Sequence, residues 1–147
     1  HKDNIKVIFS GRKNGLREDV LDAMEEISSL TKDNTGGVFN ICLNYGGHAE
    51  IVDATKDIVK LVLDNKLSID DITEEEFAKH LYQDLPPIDL MIRTSGEVRL
   101  SNFMLWQLSY AEMYFPDCHW PAFSESEFDK AIRAYNGRER RFGGNSK

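Results

Sequence analysis

The sequence predicts an α/β fold with a largely parallel sheet flanked by helices. Short apolar runs of strand length alternate with longer segments whose apolar residues recur at helical spacing, and turn residues separate them. The 147 residues, 41% of them hydrophobic, are enough for one domain with a real core.

The elements follow in order. Ile5 to Phe9 reads as a strand, ended by Ser10-Gly11 and a turn at Asn14-Gly15. Leu16, Val20, Met24, Ile27 and Leu30 repeat at helical spacing and predict an amphipathic helix that stops before Asn34. Val38 to Leu43 is a second strand, apolar enough to be expected buried on both faces. Asn44-Tyr45-Gly46-Gly47 then leads into a helix carrying Ile51, Thr55, Ile58 and Val62. Strand, glycine turn and helix together let a backbone approach an anion, although most glycine pairs are only turns.

Thr73-x-x-Glu76 is a capping box opening a short helix through Phe77 and Leu81. Leu90-Met91-Ile92 is too short for a helix and follows Pro86-Pro87, so it reads as a buried strand ending at Arg93. Phe103, Leu105, Trp106, Leu108 and Tyr110 predict a mostly buried helix capped by Ser101. Met113 to Phe115 is one more short strand. Ser124-x-x-Glu127 opens a last helix, and the segment from Gly137 to Lys147 is basic and glycine-rich.

Chemistry concentrates between Asp89 and Glu112. In open α/β sheets, ligands bind beyond the carboxyl ends of the strands. Two guanidiniums, Arg93 and Arg99, and the Ser101 hydroxyl at such a place suit the oxygens of a phosphate or diphosphate. The segment shows no nucleophile with a base. The competing reading is structural: Arg93 and Arg99 pair with Glu97 and Asp89 on the surface. Pattern alone leaves both standing.

Net charge of −7 argues against a nucleic-acid partner without forbidding a local anion site. Cys42 and Cys118 have no CxxC spacing and read as free thiols of a reducing compartment. No apolar run is long enough to span a bilayer, and no signal peptide is evident. A start at His1 suggests a fragment or a processed chain.

IRTSGE-x-RLSNF-x-LWQ-x-SYAE-x-YF, followed by Trp120-Pro121, resembles the C-terminal signature of the cis-prenyltransferases, undecaprenyl diphosphate synthases in particular. Asn44 to Gly47 is similar to a second motif of that family, and Arg-Arg-Phe-Gly-Gly near the end to a third. The resemblance implies a transferase that adds isopentenyl diphosphate to an allylic diphosphate such as farnesyl diphosphate, giving a long Z-polyprenyl diphosphate for the cell-wall lipid carrier. It implies that Arg93, Arg99 and Ser101 hold the diphosphate, that Asn44 contributes to substrate binding, and that Glu112 helps hold Mg²⁺. Arg141 and Gly143 match an RxG element that reaches across a homodimer interface. A cytoplasmic protein meeting the inner face of the plasma membrane through its lipid product is expected.

Three departures qualify the resemblance. His48 stands where the motif often has arginine, and Ala122 where it usually has aspartate. The family's phosphate-loop aspartate has no counterpart, so no catalytic residue is assigned in this chain. Residues 1–147 are accordingly expected to be the C-terminal portion of a single domain, incomplete at the N-terminus and inert alone. A non-catalytic partner subunit, or a diphosphate-binding module lacking the metal aspartate, is the alternative.

Overall fold

The structure, a computed structural model, describes residues 2–138. It divides into two compact units, His1–Leu85 and Pro86–Lys147.

The first unit holds β1 (Ile5–Ser10), α1 (Glu18–Thr31), β2 (Gly37–Cys42), α2 (Gly47–Leu63) and α3 (Glu74–Lys79). β1 and β2 pair in parallel, Ile5 opposite Gly37 and Ser10 opposite Cys42. Parallel neighbours need a crossover, and α1 provides it. At the strand ends Gly11 has φ 131°, and a Cβ there would lie 2.0 Å from the Leu43 carbonyl oxygen. Only glycine fits so close an approach.

β1 is partly closed on the side away from β2. Alternate main-chain groups of a strand point to opposite edges, and one group each of Ile5, Val7 and Phe9 meets a side chain instead of a strand. Asn34 Nδ2 donates to the Ile5 carbonyl at 2.7 Å, the Val7 amide donates to Thr31 Oγ1 at 3.0 Å, and Gln83 Nε2 donates to the Phe9 carbonyl at 2.7 Å. Thr31 is fully buried and also donates to the Ile27 carbonyl at 2.7 Å, tying the end of α1 to the strand.

β2 differs from its expected burial. Val38 is 55% and Phe39 58% exposed. Among the described residues β2 has a neighbour on one edge only, so its first residues are covered on neither face. α2 packs by Ala54 and Ile58, both buried. The Thr73 box is half made: Thr73 Oγ1 accepts from the Glu76 amide at 3.1 Å, while the Glu76 side chain turns to Lys79 and His80.

The second unit holds β3 (Leu90–Ile92), β4 (Glu112–Tyr114) and α4 (Glu125–Asn136). β3 and β4 also pair in parallel, Leu90 opposite Glu112 and Ile92 opposite Tyr114. Ser124 caps α4 by accepting from the Glu127 amide at 3.4 Å, and the helix buries Ala131 completely.

The helix expected after Ser101 does not form. Residues 101–110 run as successive turns, with Phe103 bonded to Leu100 and Leu108 to Met104. Ser101, Asn102 and Met104 have φ of 49°, 63° and 44°. Three left-handed residues in four break a right-handed path. The turns bury Leu108, one of the apolar residues that suggested a helix, together with Met104, but leave Phe103 and Tyr110 exposed. Ser101 is therefore not a helix cap, since a cap needs an extended backbone and a helix to follow.

Candidate functional site

The second unit brings Arg93, Arg99 and Ser101 together. The Arg93 amide donates to the Tyr114 carbonyl at 3.0 Å, so Arg93 leaves the sheet immediately past the carboxyl end of β3. Its Nη1 turns back to donate to Ser101 Oγ at 3.0 Å and to the main-chain carbonyl of Arg99. That closes residues 93–101 into an arch whose two feet meet at Arg93. Arg93, Arg99, Leu100 and Phe103 join Met91 and Ile92 around a cavity of about 240 Å³. Two guanidiniums beside four apolar residues suit an anion carrying a short hydrocarbon group, because each part finds its own chemistry.

The structural reading of these arginines is half realised. Arg99 pairs with Glu97, and its side chain is 60% exposed. Arg93 makes its bonds to a hydroxyl and a carbonyl instead, both neutral acceptors. Among the described residues the arch thus holds two cations and one carboxylate at its arginines.

Glu112 lies elsewhere. It opens β4 opposite Leu90, three residues before Arg93 in register, or roughly 10 Å along the strand. Arg138, just past α4, donates through Nη1 to Glu112 Oε2 at 2.5 Å. The described residues contain no group of three acidic, histidine or cysteine side chains fit to hold a metal. One hard carboxylate suits Mg²⁺ as a single ligand, the form in which this ion is commonly held beside phosphate oxygens and water. A bound cation here would take the place of the Arg138 guanidinium.

Asn44 belongs to the first unit and has φ 50°. Its Nδ2 donates to the carbonyls of Arg12 at 2.9 Å and Asn14 at 3.1 Å, so both amide hydrogens shape the 12–14 turn. Beside it Arg12 grips Asp53 with two bonds of 2.8 Å, and the Tyr82 hydroxyl donates to the same carboxylate at 2.7 Å. Arg12 and Tyr82 hold the Asp53 carboxyl down at about 2. Burial, with the bond to Asp53, pushes Tyr82 up to about 12. Glu50, 1% exposed, accepts from the Tyr82 amide at 3.1 Å and from the Tyr45 hydroxyl. No sequence pattern announced this network, whose bonded partners are up to 41 residues apart.

His48 is exposed on the first turn of α2, and Ala122 closes a short 3₁₀ turn, Trp120–Ala122. Arg141 and Gly143 lie outside the described residues. One contact at the arch was missed altogether: His119 Nδ1 shares a hydrogen bond of 3.1 Å with Ser95 Oγ. The two are 24 positions apart, and neither sits in a pattern that pairs them.

A prenyltransferase family model described as undecaprenyl diphosphate synthase matches residues 1–143. An isoprenyl transferase of Fusobacterium nucleatum is 52% identical over 143 residues, covering 97% of this chain and 60% of the relative. A ditrans,polycis-undecaprenyl-diphosphate synthase ((2E,6E)-farnesyl-diphosphate specific) of Francisella tularensis is 48% identical, covering 97% and 56%. Among solved structures, lavandulyl diphosphate synthase of Lavandula x intermedia, in complex with dimethylallyl diphosphate, superposes with a TM-score of 0.93 at 38% identity, covering 97% of this chain and 62% of that one. The chain thus spans about three-fifths of the length of the relatives it matches. With nearly every residue inside the family match and about half of them identical to named isoprenyl transferases, the chain belongs to the undecaprenyl diphosphate synthase family of prenyltransferases.

Proposed function

We propose that the protein condenses isopentenyl diphosphate with an allylic diphosphate such as farnesyl diphosphate, yielding undecaprenyl diphosphate for the lipid carrier of the cell wall. The observation that carries this reading is the arch of Arg93, Arg99 and Ser101 beside an apolar-lined cavity of about 240 Å³. The arginines hold the diphosphate of the extending unit, and Met91, Ile92, Leu100 and Phe103 receive its five-carbon group. Fixing both ends orients the unit's double bond, which lowers the entropic cost of reaching the allylic carbon. Glu112 is the residue that would hold Mg²⁺. Such a cation neutralises charge on the diphosphate oxygens.

Asn44 acts in this reading by shaping the 12–14 turn. Arg141 and Gly143 serve a partner copy in a homodimer. The protein works in the cytoplasm, and its lipid product brings it to the inner face of the membrane. No helix among the described residues is long and apolar enough to cross a membrane.

The pair between Arg138 and Glu112 favours a second reading, a diphosphate-binding module in which Glu112 is structural. Calorimetry separates the two. Under the first, isopentenyl diphosphate binds this chain, Mg²⁺ strengthens binding, and Arg93→Ala weakens it about tenfold or more, as loss of a charge-assisted contact should. Under the second, Arg93→Ala has the same effect and Mg²⁺ has none beyond what Glu112→Gln retains. Wild-type affinity in Arg93→Ala removes the arch from both.

A further inference from the structure

The crown of the arch is a backbone turn that one of its two left-handed residues finds costly. Ser95 has φ 72° and Gly96 φ 64°. Glycine accepts the left-handed region freely, but serine does not, and such a residue persists where its surroundings over-determine it. Here the surroundings are the segment after β4. The Ser95 amide donates to the Cys118 carbonyl at 2.8 Å, and the Gly96 amide to the Pro116 carbonyl at 3.0 Å. Asp117 Oδ1 stands 3.1 Å from where a Cβ on Gly96 would be, so the turn is also closely backed. The side-chain member of this set is His119, whose Nδ1 shares the 3.1 Å bond with Ser95 Oγ.

Its consequence is positional. Between Ser95 and Ser101 the chain has no regular structure, so the direction in which it leaves the crown decides where Arg99 and Ser101 stand against Arg93. The two main-chain bonds set the height of the crown. The hydroxyl bond adds a third attachment, through a side chain, that restrains its rotation.

We propose that His119 is a positioning residue for the diphosphate site. Through Ser95 Oγ it holds the left-handed turn that sets Arg99 and Ser101 against Arg93. This rests on the arch being the diphosphate site, and it adds to that site a residue that touches no ligand.

The test is calorimetric titration of the 147-residue chain with inorganic diphosphate. His119→Ala, Ser95→Gly, the double variant and His119→Asn are compared with wild type, and all are checked for unchanged melting. His119→Ala should weaken binding about threefold, the loss of one ordinary hydrogen bond. Asn places an amide at the position of the imidazole Nδ1 and can donate or accept, so His119→Asn should restore most of the affinity. Ser95→Gly removes the hydroxyl and relieves the backbone strain together. In that background His119→Ala should have no further effect, since its route to the site is gone. Additive losses in the double variant overturn the inference, as does wild-type affinity in His119→Ala. Failure of the wild type to bind diphosphate overturns the arch itself and the inference with it.

Discussion

Arg99 and Arg93 carry the same charge, but their surroundings set them apart. Arg93 is held by neutral acceptors and keeps its charge for a ligand, whereas Arg99 is balanced by Glu97 at the surface. Exposed pairs of this kind contribute little to stability, because water screens them and long side chains resist fixing. Glu97 therefore competes with an incoming anion more than it holds the fold. Glu97→Gln should tighten diphosphate binding about twofold to threefold in calorimetry at low salt, the size expected of a surface pair. The gain should shrink as ionic strength rises. Unchanged affinity in Glu97→Gln would mean that Arg99 does not meet the ligand.

At the scale of elements, the boundary between what the sequence disclosed and what it withheld follows the range of the interactions. Leu90 to Ile92 was legible as a strand, and Ser124 as a cap, because proline, apolar run and capping hydroxyl act within a few residues. Residues 101–110 were misread because an apolar segment such as Phe103 to Tyr110 reads the same whether it forms a helix or turns, and the left-handed angles leave no mark in the sequence. The arginines of the arch were legible from their place past a strand end. Their closure onto Ser101 was not, since it depends on how the intervening residues turn. Glu112 with Arg138, and Ser95 with His119, are contacts between distant segments that no periodicity encodes.

Thr31 shows the same logic in stability. It ends α1 and receives the Val7 amide from β1, with no access to water. Thr31→Val keeps the shape and strands that amide, and should cost about 1–3 kcal/mol in urea unfolding. Thr31→Ser, which keeps the hydroxyl, should cost less. A larger loss in Thr31→Ser than in Thr31→Val would show that packing of the methyl group, not the bond to β1, is what matters.

For the whole molecule, the acid and alkaline limits of stability should trace to one cluster in the first unit. Asp53 lies at about 2 in the folded chain, against an ordinary value of 3.8, through its bonds from Arg12 and Tyr82. A depressed carboxyl stabilises the fold above the unfolded value, and the contribution is lost as pH falls from about 4 to about 2. Tyr82 runs the other way. Burial and its bond to Asp53 raise it from 10.0 to about 12, so its contribution is complete below pH 10 and lost as pH rises from 10 to about 12. Asp53→Asn should flatten the acid limb of a plot of melting temperature against pH, and Tyr82→Phe the alkaline limb. A limb that keeps its slope in the corresponding variant would assign that limit to other groups.

The row of Asn34, Thr31 and Gln83 along β1 has a consequence for growth of the sheet. An amide or carbonyl already bonded to a side chain cannot template a neighbouring strand, so β1 is a partly blocked border. The far side of β2 is the more open edge for a strand that would enlarge this sheet. There Val38 and Phe39 turn apolar surface to water on both faces of the strand. Enlargement of the first unit is thereby directional, with a hindered side and a more open one, and the same three side chains obstruct a misfolded neighbour on the shortest route to edge-to-edge aggregation.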